Sequence, residues 1–211
     1  MPRLSKKMKF WLGLFLALAA AGAYMWLPRD RVVEIDGRKF LVPAGFSGSS
    51  YGKSSGVAVS ALWPEMTPWT KAATAGVGPS ECASLYVYAG QADLARHPDL
   101  ERTANDWAQQ HQKTLVHVGE KFGLDQWNEV DEKGGAWQEL YFSRTPQGVD
   151  FIAECVAPEE GKPPKCNSLH VYKGAIRIGI NQAAACLENW REIKAAATSL
   201  VEGFEKAAEG K

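Results

Sequence analysis

Eighteen consecutive residues near the start of the chain, Phe10–Leu27, carry no charge. Nothing else limits the fold as strongly, because such a run must leave water. As a helix it spans roughly 27 Å, close to the hydrocarbon thickness of a bilayer. Trp11 stands at one end and Tyr24 and Trp26 at the other, where interfacial aromatics belong. Arg3, Lys6, Lys7 and Lys9 precede the run, and Pro28 and Arg29 end it. The expectation is a signal anchor. Residues 1–9 form a basic cytoplasmic N-terminus, and residues 10–27 form a transmembrane helix crossing a bacterial inner membrane once. Everything after Pro28 then lies in the periplasm. A cleaved signal peptide is the alternative, because Ala21-Gly22-Ala23 before Tyr24 fits a small-x-small cleavage site. The run continues through Met25, Trp26 and Leu27, which favours the anchor. Both readings export the body. The first cysteine, Cys82, is too distant for lipoprotein processing.

The 24 Lys and Arg residues balance 24 Asp and Glu. Four of the bases precede the apolar run, so the rest of the chain holds 20 bases against 24 acids. A mildly acidic body lacks the basic face that displaces phosphate counterions, which excludes nucleic acid as the expected partner.

Four cysteines, Cys82, Cys155, Cys166 and Cys186, suit an oxidising compartment. Three pairings are open. Cys155 and Cys166 flank VAPEEGKPPK, a Pro/Gly-rich connection able to join two antiparallel strands, so they are the favoured pair. Cys82–Cys186 follows by elimination. No CxxC occurs, and His97, His111, His117 and His170 show no ligand spacing with the cysteines, so neither a metal nor a redox centre is expected.

An internal repeat organises the expected body. Cys82–Gly90 and Cys166–Gly174 share the pattern C-x-S-L-x-V-Y-x-G at an offset of 84. Asp36-Gly37 between Val32–Ile35 and Lys39–Val42 is a two-residue hairpin signal. Gly134-Gly135 separates extended stretches around Trp127–Val130 and Trp137–Ser143. Val57–Leu62 and Val149–Val156 precede the two repeat strands, and Lys173-Gly174 turns the second back into Ala175–Ile180. Leu100, Ala104, Trp107, His111, Leu115, Val118 and Phe122 recur at helical spacing, with Gly123 placed to end the helix. Leu187, Trp190, Lys194, Ala197, Val201, Phe204 and Ala208 form a second stripe, for which Asn181 is a plausible cap. The expected fold class is therefore α+β. After the transmembrane helix come two tandem related units, 29–123 and 124–211, each an antiparallel sheet plus one helix.

Chemistry is sparse. Gly48-Ser49-Ser50-Tyr51-Gly52 matches the G-x-S-x-G nucleophile pattern, but KSSGVAVS follows as loop and strand rather than helix. Gly52-Lys53-Ser54 echoes a phosphate loop whose first glycine is replaced by Ser47. His111 lies on an apolar stripe and reads as a core residue. Asp131-Glu132 and Glu159-Glu160 read as solvated turns. No catalytic residue, metal or cofactor is expected. Trp63, Met66 and Trp69, in a long Pro-containing loop, and Tyr51 are the candidate partner-binding residues, because rigid aromatics anchor interfaces at low ordering cost.

The apolar anchor at Phe10–Leu27, the cysteine pair Cys155/Cys166, and a final helix with spaced Trp190 and Phe204 resemble a group of small bacterial membrane-anchored periplasmic proteins. Some of these are immunity proteins that block toxins delivered by neighbouring cells. The resemblance implies a non-enzymatic binding protein whose partner is a toxin. Two other readings follow from the residues: an accessory subunit of an envelope or secretion assembly, and an envelope hydrolase using Ser50 or paired carboxylates.

Overall fold

The computed structural model describes residues 29–46, 56–70, 82–92, 99–110, 113–131, 136–156 and 164–210. Arg31–Lys211 forms one compact unit. It opens with a hairpin of β1 (Arg31–Ile35) and β2 (Arg38–Val42). Its turn residues, Asp36 and Gly37, have φ of 50° and 72°, as a type I′ turn requires. The other nine strands are β3 (Gly56–Leu62), β4 (Thr67–Pro68), β5 (Ser84–Gln91), β6 (Thr114–Lys121), β7 (Leu124–Val130), β8 (Ala136–Thr145), β9 (Gly148–Val156), β10 (Lys165–Lys173) and β11 (Ile176–Ala183). They form one antiparallel sheet in the order β4-β3-β5-β11-β10-β9-β8-β7-β6. Helix α1 is Leu100–Gln110. A 3-10 turn, Ala184–Asn189, leads into α2, Trp190–Glu209.

The two faces of the sheet are covered diagonally. Helix α2 buries Ile193, Ala197, Val201 and Phe204 against Val57, Val59, Leu85, Val87, Ile178 and Ile180 of β3, β5 and β11. The β1–β2 hairpin closes the same core with Ile35, Phe40 and Val42. Each large apolar side chain so buried contributes about 1.5–3 kcal/mol. Trp190 and Leu187 extend the cover onto Tyr141, Phe151 and Ala153 of β8 and β9. Helix α1 lies on the opposite face, where Leu100 and Ala104 meet Leu140, Phe142 and Ile152. Asp99 caps α1 by accepting a 2.6 Å bond from the Arg102 N–H.

The tandem architecture is therefore corrected to a single sheet of interleaved strands. The two repeat strands, β5 and β10, flank β11 and run in the same direction. Their matching residues face opposite ways. Leu85 packs under α2, whereas Leu169 packs on the α1 side. Tyr172 reaches Glu205 on α2, whereas Tyr88 lines a cavity with Thr103 of α1. A repeat of structure would keep the pleat in phase, so C-x-S-L-x-V-Y-x-G is a likeness of composition.

The long first helix is corrected as well. It ends at Gln110, and Thr114–Lys121 is strand. Thr114, Val116 and Val118 alternate as β-branched residues, and Phe122-Gly123, at φ 59° and 69°, makes a hairpin turn rather than a helix end. Asn181 sits inside β11 and caps nothing.

No helix among the described residues is long and apolar enough to cross a membrane. The expected transmembrane helix, and the single-pass inner-membrane placement that depended on it, therefore find no support among the described helices. Phe10–Leu27 lies outside the described residues.

Both expected disulfides are formed. Cys155 and Cys166 face each other directly across β9 and β10, with Cα atoms 4.1 Å apart. Cys82–Cys186 ties the start of β5 to the 3-10 turn across a sequence separation of 104. Loop-closure entropy assigns about 4–5 kcal/mol to a loop that long and about 3 kcal/mol to the short one. Replacing Cys82 and Cys186 together by Ser should lower Tm in calorimetry by about 10 °C or more. The Cys155/Cys166 double serine variant should lose about half as much.

Candidate partner-binding surfaces

The aromatic loop turns mostly inward. Met66 is buried in the α2 core and Trp63 packs half-buried against it. Leu62 pairs with Thr67, so Trp63–Met66 is a tight four-residue turn rather than an extended binding loop. Of the described candidates only Trp69 is exposed, at 36%. Tyr51 lies outside the described residues, as do Ser50, the glycine-serine run around it, His97 and His111.

The two edges of the sheet differ. At one end β4 has two residues and includes Pro68, which offers no backbone donor. At the other, β6 runs for eight residues, contains no proline and is mostly exposed. Among the described residues, Val116, Val118 and Phe122 are three of the seven exposed large hydrophobics. They fall within seven residues of one another, which makes this edge the densest group of exposed apolar side chains among the described residues. A bulge between His117 and Gly119 and the charges of Glu120 and Lys121 moderate the edge without closing it. His117 is exposed and packs at a tilt against Trp127, with ring centroids 5.0 Å apart. Periodicity hid this surface, because the same residues fit a helix.

Three polar groupings among the described residues carry buried or half-buried charge or imidazole. The Glu205 carboxylate on α2 accepts bonds from Arg38 at 2.8 Å, Tyr172 at 2.7 Å and Lys173 at 2.8 Å. Burial opposes its ionisation, but the bonds from Lys173, Tyr172 and Arg38 outweigh it and hold its pKa at about 2. Second, the buried His170 lies 3.0 Å from Thr198 Oγ1 through Nε2. The Thr198 hydroxyl donates to the Lys194 carbonyl, so Nε2–H must donate to Thr198. Burial, with the charge of Lys194 beside it, pushes His170 down to about 3, too low for a base working near neutral pH. Lys194 itself is paired with Asp150. Third, Glu154 on β9 is raised to about 7 by burial and then by the charge of Glu129 on β7. None of these sets joins a nucleophile to a base. Among the described residues no group of three or more His, Cys, Asp or Glu could hold a metal ion.

No protein-family model and no curated protein matches the chain. A solved structure does: that of Smlt3025, an immunity protein of the Stenotrophomonas maltophilia type IV secretion system. The match has a TM-score of 0.54 at 16% identity and covers 84% of this chain and 93% of that one. The likeness to immunity proteins is thus one of fold.

The Glu205 and Glu154 carboxylates are shifted in opposite directions, so their contributions to stability run oppositely with pH. Glu205 is depressed, so its contribution is full above its ordinary pKa of 4.5 and fades as pH falls toward 2. Glu154 is raised, so the fold favours its protonated form, and stability is lost as pH rises from 4.5 through 7. After allowance for solvent screening, that loss is about 1–2 kcal/mol. Glu154→Gln should therefore raise Tm at pH 8 and leave it unchanged at pH 4, as read by thermal melts across pH. Glu205→Gln should cost on the order of 2 kcal/mol at pH 7, or about 4–8 °C in Tm, with a smaller deficit at pH 2.

Proposed function

We propose that the protein is a non-enzymatic immunity-type protein that binds a protein toxin and blocks it by occupying its surface. The single observation that supports this most is the fold likeness to Smlt3025, which spans nearly the whole of both chains. Two disulfides suit an exported, periplasm-like compartment, where a delivered toxin would be met.

The contact on this reading is the β6 edge. An extended segment of the toxin adds a strand to it, with main-chain bonds giving affinity and Val116, Val118 and Phe122 giving apolar contact. Trp69 belongs to the other end of the sheet, near β4. Eight strand spacings separate the two edges, roughly 38 Å. A standard interface of about 800 Å² per partner does not reach across both. Trp63 and Met66 then act as core residues.

The test is affinity capture of the tagged full-length protein from its own cells, followed by titration of the captured partner's activity. One stoichiometric partner, inhibited at a one-to-one ratio, is the expected result. Changing Val116 and Val118 together to Lys should weaken inhibition at least about tenfold while the circular dichroism spectrum stays unchanged. Trp69→Ala should leave inhibition intact. Capture of several components of one envelope assembly, none of them inhibited, would overturn the reading.

A further inference from the structure

The turn that ends β6 carries more than a hairpin needs. Phe122 holds φ at 59°, which costs a bulky side chain more than the Asn, Asp or Gly usual at such a position. Trp190 of α2 fixes it there, donating its Nε1–H to the Phe122 carbonyl at 3.1 Å. Arg191, the next residue of α2, lies against Gly123 so closely that a Cβ there would stand 2.8 Å from its Nη2. The first turn of α2 is thus seated on the end of the β6 edge.

The charges at this end sort by face. Lys121 pairs with Leu124, which packs with Trp190, so Lys121 points to the α2 side. Its ammonium lies 5.2 Å from the centre of the Phe122 ring and 6.0 Å from that of Tyr141. The Arg191 guanidinium lies 4.5 Å from the Trp190 ring. Ring contacts of this kind leave most of the N–H donors open. Both cations are exposed, and neither forms an ion pair with a described carboxylate. Arg191 also opposes the dipole of the helix whose first turn it occupies, so helix stability does not account for it. Glu120 points the other way. It pairs with Asp125, whose partner on β8, Phe142, packs under α1. Asp125 is neutralised by Arg144, whereas Glu120 is exposed and forms no ion pair with a described cation. Adjacent positions of one strand therefore present unmatched positive charge on the α2 side and unmatched negative charge on the α1 side.

A strand added to an edge places each side chain on the same face as the residue it opposes. We propose that the segment added at β6 carries an acidic residue opposite Lys121, shared with Arg191, and next to it a basic residue opposite Glu120. This assignment rests on the strand-addition reading of β6 and deepens it: the edge selects its partner by the order of two charges rather than by their sum. In an antiparallel segment, the arrangement β7 has on the other side, the acid comes first.

The test uses two end-blocked peptides of one composition, Asp-Lys-Val-Thr-Val-Thr and Lys-Asp-Val-Thr-Val-Thr, titrated into the full-length protein. Nuclear magnetic resonance follows the backbone amides of Val116, Val118 and Lys121 and the Arg191 side chain. Both peptides have the same net charge and strand propensity, so only charge order separates them. The acid-first peptide should bind at least about threefold more tightly, with the difference fading in 1 M sodium chloride. Lys121→Glu combined with Arg191→Glu should abolish or reverse the preference. Glu120→Lys, which touches neither α2 nor Trp190, should reduce it independently. β6 shifts of equal strength from the two peptides, or a preference that survives in both variants, would overturn the assignment and leave strand addition standing. No shift at β6 from either peptide would overturn strand addition and the assignment together.

Discussion

Helix α2 needs an apolar floor, and that need sets the arrangement of the whole sheet. Its stripe runs from Trp190 through Ile193, Ala197 and Val201 to Phe204, all buried. A stripe that long cannot be covered by one hairpin. It is covered by β3, β5 and β11, which come from distant parts of the chain, and by the β1–β2 hairpin at the side. Bringing β11 to the centre forces β10 to its other side, and β9 through β6 then add one by one as a meander. The Glu205 cluster locks the result. It joins β2 through Arg38, β10 through Tyr172 and Lys173, and α2 through its own backbone position. Burying one carboxylate with three donors costs little, because its charge is matched on the spot.

The diagonal cover explains where function can sit. Helix α2 shields one face at the β3–β5–β11 end, and α1 shields the other face nearer β9 and β6. The edges differ for a local reason: β4 is shortened by a tight turn and Pro68, while β6 has a full ladder length and no proline. The proposed occlusion of a partner's surface needs no cleft. It needs an accessible surface held rigid from behind, and β6 has seven paired positions with β7 behind it.

Local signals in the chain proved legible and global ones did not. The Asp36-Gly37 hairpin, the strands around Val57–Leu62, Trp127–Val130 and Val149–Val156, the turn at Lys173-Gly174, the final helix and the Cys155–Cys166 pair can be read from neighbouring residues, and Cys82–Cys186 then follows by elimination. Turn chemistry and amphipathic spacing are short-range properties. The pairing of β5 with β11 has no such signal, because nothing near Tyr86 specifies Asn181 as its neighbour. The repeat misled for the same reason. It matched residue types but carried no information about pleat phase, which the burial of Leu85 under α2 and Leu169 beside α1 decides. At Leu115–Phe122 two periodicities fit the same letters, and the strand won because Phe122-Gly123 can turn and β7 lies next in the chain. The interior charges were not legible either. Glu205, Glu154 and Arg177 look like surface residues until the fold places them.

The central position of β11 also sets a clock. As the chain emerges from its N-terminus, β3 and β5 can pair early, but the free edge of β5 stays open until residues 176–183 arrive. Cys82 waits over the same interval for Cys186, while Cys155 and Cys166 emerge before Cys186 and close together. Oxidation that ran ahead of synthesis would offer Cys82 the wrong sulfurs. The close register of Cys155 with Cys166 guards against this, since a short, locally templated bridge consumes both competitors before Cys186 is available. The short disulfide thus protects the long one.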